Sequence, residues 1–216
     1  MICTGVNGAV RKSVNPKTGV NGAVRTVQKG FCGVSGVVRQ FFGPLEGLQR
    51  VEVIADSMIW LHDINQSTNQ LSNSQWVSKD SIAGYGAISI TSSKIEATSS
   101  SITKYYTLKS NVYAVFANGR RVCLYELVNN FPLTVSWPVT IFVQAGGRYY
   151  VGLGGNAKTP TSHGNTTVTV TELKPYLSEV EIGAGGYSSG YTARVSLTFS
   201  TITLGGVSYP VTVLTN

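Results

Sequence analysis

Beyond residue 50, hydrophobic and polar residues alternate along much of this chain, which is the two-residue period of a β-strand. Residues 50–55 (RVEVIA) alternate well, and residues 85–91 and 94–99 form two more such runs, joined by Ser92-Ser93. Further strands are predicted in six later runs, at residues 133–144, 148–154, 166–173, 178–184, 191–204 and 207–215. Turn residues separate the runs at intervals of about 8–12 residues, a spacing typical of sandwiches and barrels.

The remaining segments are less regular. Residues 111–128 alternate on both sides of Asn118-Gly119, which predicts a two-residue hairpin. Residues 56–64 fit a strand or a single helical turn, and the polar residues 65–81 are predicted to be a loop. Because no long stretch has a helical period, we predict an all-β fold, with an antiparallel β-sandwich or jelly-roll-like body. The order of the strands cannot be derived from the sequence.

The first 43 residues follow a different pattern, a unit repeated with a step of 14 residues. Gly5–Arg11 (GVNGAVR) recurs as Gly19–Arg25, and more loosely as Gly33–Arg39 (GVSGVVR). Asn-Gly between apolar residues is a strong hairpin signal, because a type I′ turn needs positive φ at both central residues. We therefore predict three hairpin-like units, in the first of which Val6 would face Ala9 and Thr4 would face Arg11. The predicted turn residues are Asn7-Gly8, Asn21-Gly22 and, more weakly, Ser35-Gly36.

Charge also sets this segment apart. The formal net charge is +7, from 17 Lys and Arg and 10 Asp and Glu residues. Residues 1–43 contain six of the basic residues and none of the acidic ones, so the rest of the chain is almost neutral. We predict a basic repeat arm (1–43), a linker (44–49) and a β-sandwich body (50–216). Since small hairpins bury too little apolar area to be stable alone, we expect the arm to dock elsewhere.

Partner binding by the arm is assigned to its repeated positions. Arg11, Arg25 and Arg39 are expected to pair with carboxylates, and the turn residues named above belong to the same surface. Two alternatives stay open. The units could form one small sheet of the protein's own fold with solvated arginines, or the basic arm could bind nucleic acid. Nucleic acid is the weaker alternative, because no aromatic residue precedes Phe31 and the density of basic residues is modest.

The repeats resemble those of a known class of proteins. Units of the form GVNGxxRK, closing on KGFCGVSGVVRQFFGPL, are similar to N-terminal repeats of structural proteins of phages and prophages of Gram-positive bacteria. The resemblance covers about residues 4–43. It implies a virion protein whose arm anchors it and whose body is displayed, and it carries over no catalytic residues. It does not indicate which part of the particle is involved.

The chain contains few residues with catalytic or metal-binding potential, and we predict no enzyme, cofactor or metal site. Residues 152–159 (GLGGNAKT) nearly match a phosphate-binding loop, but Ala157 replaces the second glycine and Pro160 follows where a helix is required. The two histidines, His62 and His163, are far apart in sequence. Glu179 and Glu181 share one face of a predicted strand, which an exposed strand face explains. The odd number of cysteines, three, argues against a disulfide framework.

Location and copy number follow from the same observations. No apolar run has the length of a signal peptide or a membrane span, so we expect assembly in a host cytoplasm, a location in the virion and no membrane partner. The expected partners are other virion structural proteins, with several copies per particle or a homo-oligomer.

Aromatic residues within polar stretches suggest a second function. Trp76 lies in the most polar part of the chain, and Tyr187 and Tyr191 flank a Gly/Ser-rich stretch that is predicted to be a flexible loop. Flat rings beside amides and hydroxyls are typical of sugar-binding surfaces, so these three are candidate glycan contacts. The alternative is that Trp76 folds down as a plug and that the two tyrosines cover strand ends. The leading hypothesis is a non-enzymatic virion protein, and the alternative is a carbohydrate-binding β-sandwich module.

Overall fold

A computed structural model of the protein describes most of the chain. Side chains are described for residues 45–68, 70–131, 133–144, 151–152, 179–186 and 192–216. Of residues 2–6, 9–13, 17–20, 23–26, 30–34, 37–42, 147–150, 153, 156–158 and 166–170, the backbone strands alone are described. The chain divides into two compact units, Met1–Leu48 and Gln49–Asn216.

The first unit contains three separate pairs of antiparallel strands. Strands β1 to β6 are Ile2–Val6, Ala9–Ser13, Lys17–Val20, Ala23–Thr26, Gly30–Val34 and Val37–Phe42, paired in chain order. The backbones of Arg11, Arg25 and Arg39 take equivalent places in these pairs, opposite Thr4, Thr18 and Cys32. The side chains of the arginines lie outside the described residues, as do the predicted turn residues Asn7, Gly8, Asn21, Gly22, Ser35 and Gly36.

The second unit is built almost entirely from strands. Strands β7 to β14 are Leu48–Ile64, Leu71–Ser78, Gly86–Thr91, Lys94–Ser99, Lys104–Phe116, Arg121–Cys123, Val135–Ser136 and Val139–Gln144. Strands β15 to β22 are Gly147–Leu153, Asn156–Lys158, Thr166–Val170, Glu179–Gly186, Ala193–Phe199, Ile202–Leu204, Val207–Tyr209 and Val211–Thr215. The described residues add a 3₁₀ helix, Lys79–Ile82, and an α-helix, α1, Leu124–Asn130.

Two large sheets form most of the body, and a third, small sheet has the strand order β13-β20-β21. The smaller of the two large sheets has the strand order β17-β14-β19-β10-β9, and the larger has the order β16-β15-β18-β11-β7-β22, with β12 added to β11 and β8 added to β7. The sheets pack on each other where β10 and β19 meet β18. The pairs β10–β19, β11–β18 and β14–β19 are antiparallel, whereas β22 runs parallel to β7. The predicted all-β, sandwich-like class is therefore confirmed, with one parallel pair as a departure.

Alternation places the core between the sheets. Along β11, Tyr106, Leu108, Ser110 and Val112 are fully buried, whereas Thr107, Lys109 and Asn111 between them are half-buried. Strands β10 and β19 contribute Ile95, Val195 and Leu197 from the facing sheet. The residues of β11 that point away from this core, such as Thr107 and Lys109, define what we call the outer face of the larger sheet. The predicted strands at 85–91 and 94–99 are confirmed, as β9 and β10.

The prediction of a two-residue hairpin at Asn118-Gly119 was wrong in two respects: the turn is longer, and most of the second half of the segment is a helix. The Phe116 carbonyl accepts from the Gly119 N–H at 2.8 Å and the Phe116 N–H donates to the Arg120 carbonyl at 3.0 Å, so the loop has three residues. Within this turn φ is positive at Gly119 alone, which is the arrangement of a type I turn followed by a glycine bulge. After the short strand β12 the chain forms α1, because its buried residues recur with a helical spacing: Leu124, Leu127 and Val128.

Two other segments predicted as loops are strands. In residues 65–81, the Asn65 side chain accepts from the N–H groups of Ser67 and Thr68 and turns the chain, and β8 then pairs with β7. Residues 185–186, which follow the predicted strand 178–184 and belong to the Gly/Ser-rich stretch predicted as a flexible loop, complete strand β18 and are buried. Their glycines are explained by close packing, since a Cβ on Gly186 would lie 2.6 Å from the Ser101 carbonyl oxygen.

Candidate functional site

Trp76 is the predicted glycan contact whose side chain is described. It lies on β8 directly opposite Trp60 of β7, and 48% of its surface is exposed. The two indole rings have centroids 4.6 Å apart and planes at 80°, an edge-to-face arrangement. Trp76 is therefore neither a buried plug nor a free loop residue, because Trp60 supports its ring. Tyr187 and Tyr191 lie outside the described residues.

A β-bulge lies next to this pair, at the point where β8 passes His62 of β7. Leu61 pairs with Gln75 and Asp63 with Ser72, so two residues of β8, Asn73 and Ser74, stand opposite His62. Asn73 has φ of 49°, in the left-handed region that asparagine tolerates better than most residues. Ser74 lies two residues from Trp76 and shares its face by strand alternation, and its Oγ lies 2.8 Å from Nδ1 of His62.

His62 extends the aromatic surface inwards. Its ring centroid lies 5.8 Å from that of Trp60 and 6.1 Å from that of Tyr105 on β11. Burial lowers the pKa of His62 below its ordinary value of 6.5, because the surroundings disfavour the charged ring. His62 is therefore neutral at pH 7. We call Trp60, His62, Trp76 and Tyr105 the aromatic cluster.

Glycines of β18 make room for the inner end of this cluster. Tyr105 is 8% exposed and lies opposite Gly185 in the β11–β18 pairing. A Cβ on Gly185 would lie 2.8 Å from Cδ2 of Tyr105, and one on Gly183 would lie 2.5 Å from its Oη. The Tyr105 ring thus occupies the space above two residues that have no side chain. This close approach accounts for the glycine-rich sequence of β18.

The outer face changes from aromatic to charged further along β11. Lys109 Nζ lies 3.0 Å from Glu181 and 3.5 Å from Glu179, and the predicted sharing of one strand face by these glutamates is confirmed. The hydrogen bond from Lys109 to Glu181 raises the pKa of Lys109. Asp56 accepts from Asn111 at 3.4 Å, and burial raises the pKa of its carboxyl group. We call Asp56, Lys109, Glu179 and Glu181 the charged end.

The neighbouring residues His62 and Asp63 have different hydrogen-bond partners. Asp63 accepts from Lys104 and, at 2.9 Å, from Nδ2 of Asn73. The hydrogen bond from Lys104 lowers the pKa of Asp63, and that from Asn73 adds to the effect. Both residues therefore have partners within the fold. Within the residues described with side chains, no group of three or more His, Cys, Asp and Glu could hold a metal ion.

Sequence analysis missed Trp60, His62, Ser74 and Tyr105 as parts of one surface. They come from three strands, and their proximity depends on a hairpin that was predicted to be a loop. The usable signal was the polar run 71–78 with a tryptophan opposite Trp60, once the turn at Asn65 is recognised. Of the near match to a phosphate-binding loop, residues 152–153 belong to strand β15 and residues 156–158 form strand β16, and these strands pair with each other.

Two further findings concern membrane spans and similarity to known proteins. In the described part of the chain, no helix is both long and apolar enough to span a membrane. Comparison with protein-family models, with curated proteins and with solved structures found no match to this chain.

Proposed function

We propose that this protein is a non-enzymatic structural or accessory protein of a tailed-phage virion. The observation that carries the proposal is the 14-residue repeat of the arm, in which six basic residues occur without an acidic one. The repeat and the charge are confined to a unit that is distinct from the β body. In this proposal the arm anchors the chain to neighbouring virion subunits, and the body is displayed or completes an interface.

The anchoring mechanism follows from the repeats. Strand edges of small hairpins offer backbone hydrogen bonds, and Arg11, Arg25 and Arg39 offer charge-assisted bonds to carboxylates at a constant spacing. Each unit alone binds weakly, whereas several engaged together hold through effective concentration. The same proposal includes four further features: a hairpin form of the three units, a jelly-roll relation between the sheets, assembly in the host cytoplasm and several copies per particle.

The proposal is tested by removing the repeated charges from the full chain. We expect replacement of Arg11, Arg25 and Arg39 by Gln to lower incorporation into particles at least about tenfold, because three charge-assisted contacts are lost together. Incorporation is measured by immunoblot of density-gradient fractions from host cells that carry the remaining particle genes.

A matched control uses the other basic residues of the arm. Replacement of Lys12, Lys17 and Lys29 by Gln removes the same charge at positions outside the repeated arginine, and we expect a smaller loss. Equal losses would mean that overall charge alone binds the arm. Normal incorporation of the arginine variant would contradict the anchor function.

A second candidate function is carbohydrate binding by the body. It is favoured by Trp76, whose half-exposed indole is supported by Trp60 on an outer sheet face. The two functions are compatible, since a displayed virion domain can also contact a cell-surface glycan. Retention of the full chain in gels containing soluble polysaccharides tests this function, and retention by none of them would contradict it.

A further inference from the structure

We infer that the outer face of the β7–β8 hairpin binds an uncharged saccharide chain, with Trp76 as the stacking residue. The inference rests on the second candidate function and adds the location of the site and the class of its ligand. Met58, Trp60 and His62 lie on this face of β7, and Ser74, Trp76 and Ser78 lie on the same face of β8.

The first argument is exposure. Trp76 is 48% and Met58 41% exposed, and they are diagonal neighbours because Trp60 pairs with Trp76 and Met58 with Ser78. Exposed large apolar residues that adjoin on one face mark a binding surface more often than isolated ones do. Leu71 and Val207 are exposed to a similar degree but lie away from this group.

The second argument is preorganisation. The edge-to-face contact with Trp60 supports the ring of Trp76, and the β7–β8 register places Ser74 beside His62. Tyr105, held over Gly183 and Gly185, backs the His62 ring. A ring that is already supported loses little conformational entropy when a ligand stacks on it, so more of the contact energy appears as affinity.

The third argument concerns the ligand. The faces of a pyranose ring present C–H groups that pack on an indole, and its edge presents hydroxyl groups. The surface matches both features: the Trp76 ring is placed for stacking, Ser78 has a hydroxyl hydrogen to donate while its oxygen accepts from the Asp80 N–H, and His62 has a second ring nitrogen besides the one that contacts Ser74. The residues of this face carry no formal charge at pH 7, and strand β8 contains no charged residue. An uncharged surface that offers both donors and acceptors suits a neutral polyol better than a charged polymer.

The charged end sets a boundary to the site. Lys109 is already paired with Glu179 and Glu181, so it is not available as an anchor for an anionic sugar. With Asp56, this end has three acidic groups and one basic group, which would repel an anionic chain. A saccharide lying along β7 from Trp76 past Met58 therefore reaches the charged end only if it is neutral or cationic.

The experiment uses the full chain and saccharides matched in linkage. Affinity electrophoresis in gels with β-glucan, α-glucan, xylan and mannan is followed by titration with the hexamers of N-acetylglucosamine and of glucosamine, which share one linkage but carry neutral acetamido groups in the first case and basic amino groups in the second. We expect retardation by at least one neutral polysaccharide, or binding of the acetylated hexamer over the cationic one. Trp76→Ala should weaken the binding at least tenfold and Trp76→Tyr less.

Two controls keep the result interpretable. Val207→Ala truncates an equally exposed apolar residue on β21 and should leave binding unchanged. The far-ultraviolet circular dichroism of Trp76→Ala should keep a β-sheet signal and its thermal midpoint should fall only modestly, because the change removes a half-exposed ring and one edge-to-face contact with Trp60.

Other results would overturn the inference in distinguishable ways. Preference for the cationic hexamer, lost in Glu181→Gln and retained in Trp76→Ala, would move the site to the charged end and leave carbohydrate binding standing. Absence of binding to every saccharide would contradict both the inference and the second candidate function. A native mass that falls from dimer to monomer in Trp76→Ala, without saccharide binding, would identify a second copy as the occupant.

Discussion

Single carboxylates in the body are held by pairs of cationic side chains. Glu52 is 1% exposed, and its oxygens accept from Nε of Arg50 at 2.9 Å and from Nε of Arg121 at 2.8 Å. Glu96 accepts from Lys94 on its own strand and from Nη2 of Arg194 on β19 at 2.9 Å. Each carboxylate thus links residues of the same strand and of another strand, and its charge is balanced where water access is limited.

Glu96 gives a pH prediction at this scale. Burial alone would raise its pKa, but the hydrogen bonds from Lys94 and Arg194 outweigh burial and hold the pKa below the ordinary value of 4.5. A carboxyl group with a lowered folded-state pKa stabilises the fold fully above its unfolded pKa, and this stabilisation is lost as the pH falls through the folded pKa. We expect Glu96→Gln to lower the unfolding free energy by about 1–2 kcal/mol at neutral pH. The difference should shrink as the pH falls below about 4.5.

Urea unfolding followed by tryptophan fluorescence at several pH values checks this prediction. The comparison with Glu96→Gln isolates one group, since the other carboxylates titrate in both proteins. Glu46→Gln, at an exposed position, serves as the control and should change stability little at any pH. A difference between parent and Glu96→Gln that stays constant from pH 7 to pH 3 would show that the charge of Glu96 does not contribute.

At the scale of elements, strand β18 contributes to both faces of the larger sheet, with apolar residues on the core face and glycines on the outer face. Val180 and Ile182 point into the core, whereas Gly183 and Gly185 lie under the Tyr105 ring. The strand tolerates glycines, which usually weaken strands, because Tyr105 fills the space that they leave. The position of Tyr105, and with it the inner end of the aromatic cluster, therefore depends on residues that have no side chain.

Gly185→Ala tests this dependence. The new methyl group would lie 2.8 Å from Cδ2 of Tyr105 and 3.1 Å from the Lys104 carbonyl oxygen, so the ring or the backbone must move. We expect the unfolding free energy to fall by about 1–3 kcal/mol, as for other overpacked sites. Near-ultraviolet circular dichroism should change as well, because the surroundings of the aromatic cluster are altered.

Gly84→Ala is the matched control. A Cβ there has no atom within 4 Å, and we expect stability to stay within about 0.5 kcal/mol of the parent, with an unchanged near-ultraviolet spectrum. If Gly185→Ala were as stable as Gly84→Ala, the Tyr105 ring would not rest on β18 in solution.

Elements also show where local patterns are ambiguous. Residues 121–128 alternate as a strand would, yet Leu124, Leu127 and Val128 also have helical spacing, and the chain uses the helix. The conformation of a short segment that satisfies both periods is decided by what the segment packs against. The same holds for residues 71–78, where the polar composition hides a strand whose partner is β7.

At the scale of the whole molecule, the division into two units leads to a proteolysis prediction. The arm contains six of the 17 basic residues, and after Arg39 the next trypsin site is Arg50, within strand β7. Small units rich in Gly, Ala and Val bury little apolar area, so we expect trypsin to cleave the arm first. The product should be a stable monomer that begins at Gln40.

Native mass spectrometry before and after digestion is the measurement. Rapid loss of the arm with a monomeric product would support an anchor that acts on a partner in the particle. A resistant arm, together with a native mass that is a multiple of 23.0 kDa, would make the repeats part of the protein's own oligomeric fold. That result would contradict the anchor function and direct attention to the surface of the body.

The sequence by itself determined the all-β class, the strands at 85–91 and 94–99 and the separation of a basic repeat arm from a nearly neutral body. These features follow from local rules, since alternation, charge and repeat spacing can be counted along the chain. The tertiary structure alone decided that Trp60 supports Trp76, that Gly183 and Gly185 lie in a strand beneath Tyr105, and that 124–130 is a helix. Such contacts join residues far apart in sequence, and no local pattern specifies which distant strand fills the space beside a residue.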